Sequence, residues 1–205
     1  MPRSPEQNQA VKDKRRAKLL DNALKVFAVL GYDEVSIDSI TKSARCSHGL
    51  FYHYFTSKEE AFACVWDELI DNSFSAPPLE EALEKGGTAG LDFICHAYDR
   101  FASLDAKKLC VAQIAVTACH IDSLPDSIKQ KAEKYDMRSA LATLIKQAQE
   151  EGNAIAGNPD EIAYAIFTVF LTEIKQACLS KHDRHFTSGD VLFGMLMKKP
   201  LSEIH

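Results

Sequence analysis

The side chains best suited to gripping a polyanion collect in one stretch, Ser47-His48-Gly49-Leu50-Phe51-Tyr52-His53-Tyr54-Phe55, followed by Ser57-Lys58. His53 can donate to a guanine acceptor or to a phosphate, and Tyr52 carries a hydroxyl on an aromatic arm. Ser47 and His48 stand where a helix would begin, and the free N–H groups of a helix start attract phosphate. Gly49 lacks a side chain, so a second backbone can approach closely. At 100° per residue Phe51 and Phe55 share one face, Gly49 and His53 lie opposite, and Leu50 and Tyr52 flank them. The phenylalanines would anchor such a helix while the other side meets a partner. No Arg, Lys, Asn or Gln occurs between Ser47 and Phe55, so duplex shape and phosphate contacts must carry much of any sequence preference. Leu50 can only pack, for instance on a thymine methyl.

Three capped helices in close succession would position this stretch. Ser36 is a good N-cap, and Ile37, Ile40 and Ala44 follow at helical spacing. Arg45-Cys46 breaks the pattern, Ser47 caps the second helix, and Ser57-Lys58-Glu59-Glu60 reads as a capping box that opens a third. Two helices joined by a three- or four-residue turn cross steeply, so the second can enter a major groove. Ser36, Arg45 and Lys58 border that helix as further phosphate candidates. If the turn needs a left-handed backbone at Arg45, the strain is about 1 kcal/mol. Upstream, Leu20, Ala23, Leu24 and Phe27 mark a supporting helix that Gly31 ends, with Tyr32 folding back on its last turn. Residues 1–11 read as a mobile arm, and Lys14-Arg15-Arg16 as either a solvated face or a second contact to the phosphate backbone.

The net charge of −5 argues against a polyanionic partner until it is divided. Residues 1–58 carry +4 and the remainder −9, a cationic head on an acidic body. With 46% hydrophobic and 26% charged residues in 205, a sizeable core is expected rather than disorder. No signal-peptide pattern and no apolar run near the roughly 20 residues of a membrane span is evident, which predicts a soluble, cytoplasmic protein.

The body reads as wholly helical. The helix begun at Ser57 continues through Phe62, Val65, Leu69 and Ile70 as a rod that ends before Pro77-Pro78. Further helices are expected around Leu91 to Phe101, over 105–120, from Ile128 to Ala148, from Asn158-Pro159 onward, and at Val191 to Met197. The Asn158 helix has an apolar band wider than one neighbour requires. Ile162, Ile166, Phe170 and Ile174, with Val191 and Met195 of the final helix, are expected to form half of a four-helix dimer interface. Phe93, His96, Phe101, Gln113, His120, Met137 and Phe167 would suit a pocket for a flat or lipophilic ligand.

Other chemistry has weaker support. Six cysteines without a C-x-x-C pair, in a chain lacking a secretory signal, point to reduced thiols. Cys95-His96, Cys119-His120 and His182-x-x-His185 raise metal or redox readings, but adjacent helical residues diverge by about 100°, so no metal is expected. Cys119 with His120 or His96 can in principle pair as nucleophile and base. However, there is no glycine-rich phosphate loop, no nucleophile elbow and no paired carboxylate at useful helical spacing, so no enzyme and no cofactor is expected. A thiol-based redox-sensing regulator remains an alternative. A helical adaptor that binds only protein leaves Gly49, His53 and Lys58 unexplained.

The layout of residues 15–66 resembles the N-terminal domain of the TetR family of transcriptional regulators. The matching features are Phe27 before Gly31-Tyr32, Ser36-Ile37-x-x-Ile40, and Ala44-x-x-Ser47-x-Gly49-x-Phe51-Tyr52-x-x-Phe55-x-Ser57-Lys58-Glu59. The resemblance implies an all-α fold: a three-helix DNA-binding domain with a helix-turn-helix over 12–56, and a helical ligand-binding and dimerisation domain over 57–205. It implies a homodimeric repressor on a pseudo-palindromic double-stranded DNA operator, released by a small-molecule effector of unknown identity. Two positions depart from the family: Arg45 stands where glycine is usual, and Leu50 where a small hydroxyl or alanine is common.

Overall fold

Ser4-Pro5-Glu6-Gln7 is a complete helix start. The Gln7 N–H donates to the Ser4 hydroxyl at 3.2 Å, the Ser4 N–H to the Gln7 side chain at 3.1 Å, and Pro5 fills the first position. In this computed structural model, which describes residues 4–71, 79–180 and 184–198, α1 therefore spans Pro5–Leu30. The expected arm is helix from Pro5 onward. Gly31 ends α1 at φ 84°, donating to the Phe27 carbonyl at 3.0 Å, and Tyr32 folds back as expected, its ring centroid 6.0 Å from that of Phe27.

Three short helices follow, α2 (Ile37–Ala44), α3 (His48–Tyr54) and α4 (Lys58–Val65), each opened by the serine before it. The rod runs on past α4, but as one π-helical turn, Trp66–Ile70, closed by the Asp71 N–H on the Trp66 carbonyl. Pro77-Pro78 lies outside the described residues. The body comprises α5 (Leu79–Lys85), α6 (Gly87–Asp99), α7 (Ala106–Thr117), α8 (Asp126–Ala132), α9 (Met137–Glu150), α10 (Pro159–Leu179) and α11 (Gly189–Gly194). Among the described residues there is no strand, only an isolated bridge between Ala154 and Met197. The single helix expected from 128 to 148 is two, because the Asp136 backbone leaves the helical region (ψ 77°) and its side chain caps α9 on the Ser139 N–H.

Two apolar clusters divide at α7. The head cluster holds Leu20, Leu24, Phe27, Ile40, Phe51, Phe55 and Phe62, and continues onto Val111, Ile114 and Ala118. The second gathers Leu109 of α7 with Leu91, Leu141, Phe170, Ile174 and Phe193 from the other body helices. Serving both, α7 is buried at every position from Leu109 to Val116, which is why its sequence shows no polar stripe. Close packing is needed where α5, α6 and α9 meet, since a Cβ on Gly90 would lie 2.4 Å from the Ala82 carbonyl oxygen. By length and composition α10 could cross a membrane, but its Ile166, Phe167, Phe170 and Ile174 belong to the second cluster. It also buries Glu173, which accepts from the Tyr98 hydroxyl and from the Thr187 N–H and hydroxyl at 3.1 and 2.5 Å.

Candidate nucleic-acid interface

The two faces of α3 separate as its sequence predicts. Phe51 and Phe55 are fully buried, 5.6 Å apart between centroids, whereas Gly49, Tyr52 and His53 are exposed and Leu50 is half-buried. The Ser47 hydroxyl accepts the Leu50 N–H at 3.2 Å, so its first role is the cap. The Tyr54 hydroxyl donates to the Lys12 carbonyl at 3.1 Å, which ties α3 to α1 and removes that ring from the outward face.

The turn before α3 is strained at one residue. Arg45 is left-handed (φ 53°, ψ 51°), and its N–H and that of Cys46 close the end of α2 on the Lys42 and Thr41 carbonyls. Asp38, which sequence reasoning passed over, organises the flank. It holds Lys42 Nζ at 2.6 Å and lies 3.4 Å from His48 Nε2, and Lys42 first, then His48, lowers its carboxyl pKa. The i,i+4 spacing of Asp38 and Lys42 was the available signal. At the preceding helix start, the Ser36 hydroxyl accepts the Ser39 N–H at 3.1 Å.

Two expected cations are turned inward. Lys58 donates to the Tyr32 carbonyl at 3.0 Å and sits 4.4 Å over the Tyr32 ring, so its charge is directed at the turn after α1. Arg16 is bound to Glu68. The Ser57–Glu60 capping box closes on one side only: Glu60 Nα–H reaches the Ser57 hydroxyl, while the Glu60 carboxylate takes the Thr56 N–H and hydroxyl, each at 2.6 Å.

The seven pocket candidates do not share one cavity. Phe93, Phe101 and Met137 line, with Leu79, Ile94, Ala97 and Tyr98, a void of about 10 Å³, room for a single water. Gln113 faces a different space of about 150 Å³ between Gly31, Tyr32 and Phe62 of the head and Thr117 and Lys175 of the body. His120 and Phe167 meet ring to ring at 5.9 Å. His96 is on the solvent side of α6, 2.9 Å from the Asp92 carbonyl, because Ile94, Ala97, Tyr98 and Phe101 take the inward stripe.

The dimer candidates also divide. Ile166, Phe170 and Ile174 are buried within the chain and Ile162 is half-buried, because α7 and α9 cover most of the wide band on α10. Val191 and Met195 are exposed, at 56% and 66%. The apolar residues that α10 leaves uncovered are instead Tyr164 (60%), Val169 and Leu179.

The thiols give little support to nucleophilic or redox chemistry. Burial pushes Cys95 up to about 12 and Cys119 to about 11, and raises Cys46 and Cys64, so these four are thiols at neutral pH. Cys110 and Cys178 are hydrogen-bonded to each other, and Cys110 is inaccessible. Of the histidine pair near the C-terminus, His182 lies outside the described residues. Cys119, His120 and Asp136 do converge, with ligand atoms within 4.8 Å of one another.

Residues 19–63 match the profile of bacterial regulatory proteins of the tetR family. The uncharacterized HTH-type transcriptional regulator YuxN of Bacillus subtilis is 35% identical over 143 residues, 60% of this chain and 49% of that protein. Transcriptional regulator AcuR of Cereibacter sphaeroides is 30% identical over 146 residues, 67% of this chain and 64% of that one. The chain thus spans between about half and just under two thirds of these curated relatives. A solved structure of a HlyIIR mutant matches at TM-score 0.63 over 92% of this chain and 99% of its own, at 16% identity, a likeness of fold. The profile match lies on α1 to α4, so the helix-turn-helix of this chain, built as its spacing requires, is similar to that of the tetR family of bacterial regulatory proteins.

Proposed function

We propose that the chain is a DNA-binding transcriptional regulator, acting in the cytoplasm as a homodimer on a pseudo-palindromic operator. The observation that carries this reading is the split of α3, with Phe51 and Phe55 sealed beneath and Gly49, Tyr52 and His53 open. Gly49 admits the duplex backbone, His53 and Tyr52 supply donors, and His48, Ser47, Ser36 and Arg45 border the groove. Lys58 would join them only by leaving the Tyr32 carbonyl. The second copy docks on Tyr164, Val169 and Leu179 of α10 together with Val191 and Met195 of α11, the exposed apolar positions on those helices. Repression, and release by a small effector bound in the body, complete the proposal; the contacts of α1 with α7 and α10 give a route from body to head.

A gel shift with the promoter region next to the chain's own gene tests it. Binding should fall steeply with salt, as expected when cations displace counterions, and should be lost with Gly49→Glu. Indifference to every duplex at low ionic strength would overturn the proposal.

A further inference from the structure

The end of α7 tightens into a 3-10 turn, Ala118–His120, which meets the N-cap of α9. Neighbouring side chains on a helix normally diverge, and sequence spacing therefore predicts no shared ion. Yet Cys119 Sγ, a His120 ring nitrogen and an Asp136 carboxylate oxygen all lie within 4.8 Å of one another. We infer that Cys119, His120 and Asp136 form a site for a divalent transition-metal ion, with Zn²⁺ the best match.

Four observations on these residues support it. First, His120 Nε2 is buried and makes no hydrogen bond, although Asp136 Oδ1 is only 3.2 Å away. The ring nitrogen faces the carboxylate charge but is turned off the line of a well-formed hydrogen bond, and a buried nitrogen without one is costly unless something else satisfies it. Second, the 3.2 Å separation is close to the edge of a Zn²⁺ tetrahedron, about 3.4 Å for typical Zn–N and Zn–O bonds. Third, the carboxylate is already oriented: the Ser139 N–H donates to Oδ1 at 3.1 Å and the Ser139 hydroxyl to Oδ2 at 2.7 Å, the kind of outer support that metal ligands need. Fourth, a sulfur, nitrogen and oxygen set suits zinc and disfavours Mg²⁺ and Ca²⁺, which take oxygen alone. A thiolate and a carboxylate would cancel the two positive charges of the ion.

Binding releases one proton, that of the Cys119 thiol, to solvent, and the thiolate electron pair forms the metal–sulfur bond. Three protein ligands leave a fourth position for water or a small molecule, an open site rather than a closed structural one. The location gives the ion leverage. Cys119 packs against the head cluster, and the Phe167 ring of α10 abuts His120. An ion here would pin the tail of α7 to α9 beside the surface that supports the head. The inference does not depend on the DNA-binding reading, because it is tested by metal titration without DNA.

The full chain should be titrated with Zn²⁺ against a chromophoric chelator, and with Co²⁺ followed by absorption. The expected result is one ion per chain, with Co²⁺ giving the strong visible absorption of tetrahedral coordination and a near-ultraviolet thiolate charge-transfer band. Cys119→Ser should abolish that band. His120→Ala should weaken Zn²⁺ by more than about 100-fold, beyond what loss of an outer-shell partner costs. Asp136→Asn preserves the α9 cap, since Asn caps as well as Asp, and should weaken Zn²⁺ at least about 10-fold in a chain that still folds. The site is overturned by weak octahedral Co²⁺ absorption without charge transfer, by no stoichiometric uptake, or by unchanged Zn²⁺ affinity in Cys119→Ser and Asp136→Asn.

Discussion

Arg16 and Glu68 grip each other fork to fork, Nη1 to Oε2 at 2.7 Å and Nη2 to Oε1 at 2.5 Å. The guanidinium also lies over the Phe55 ring, 5.5 Å from its centroid, so one cation joins α1, the end of α3 and the π-turn. The side chains are 33% and 43% exposed, which limits the pair to about 1 kcal/mol. Arg16→Ala should lower the urea midpoint accordingly and leave the salt slope of DNA binding unchanged. Arg16 holds the Glu68 carboxyl below its usual 4.5, so the contribution is complete above that pH and is lost as pH falls through the lower folded value. The stability gap between wild type and Arg16→Ala should therefore close in acid. A gap that persists there, or a salt slope reduced by one, would contradict this assignment.

Gly49 separates folding from docking. A Cβ there would meet only the Ser47 hydroxyl, at 3.9 Å, so nothing among the described residues requires glycine. Gly49→Ala should raise stability by about 0.5–1 kcal/mol through helix propensity, while weakening operator binding if the duplex backbone approaches this point. Thermal unfolding and gel shift on the same preparation measure both. Unchanged affinity in a stabilised variant would remove Gly49 from the interface.

The left-handed Arg45 offers the converse experiment. Arg45→Gly relieves the backbone strain, and stability should rise by at most about 1 kcal/mol, since glycine also gains freedom in the unfolded chain. If the guanidinium meets phosphate, affinity should fall and the salt slope should lessen by roughly one. A stabilised variant with an unaltered slope would assign Arg45 to the turn alone.

Two substitutions on α10 and α11 distinguish core from dimer. Phe170 is fully buried, so Phe170→Ala should cost about 3–5 kcal/mol. Met195 is exposed, and Met195→Glu should leave the fold of the chain intact while dissociating the dimer in sedimentation. A Met195→Glu protein that sediments as the wild type does would place the second copy elsewhere.

The head was readable because its instructions are local. Ser36, Ser47 and Ser57 each cap the helix that follows, and Phe51 and Phe55 settle which way α3 faces. What escaped depended on partners distant in sequence. Lys58 and Arg16 look free in the sequence, but their partners at Tyr32 and Glu68 lie 26 and 52 residues away. On α10, periodicity reveals a wide apolar band but not which part α7 and α9 will cover. Short α5 offers only Leu79 and Ala82 as buried residues, too few for a periodic signal. The Asp136 break had a local cue, Ser139 three residues on, hidden by an apolar rhythm that continues across it.

The extra residue in the Trp66–Ile70 turn shifts the helical phase of the rod by roughly 100°. Trp66, wholly buried, packs its ring on Tyr135 at 6.2 Å, and Lys131 and Lys134 reach across to Asp67 and Asp71. If that turn sheds its surplus residue and rewinds, the indole must rotate and push on Tyr135, whose next neighbour is Asp136. Gearing of this kind would carry torsion between the head and the α9 cap with no loop having to melt.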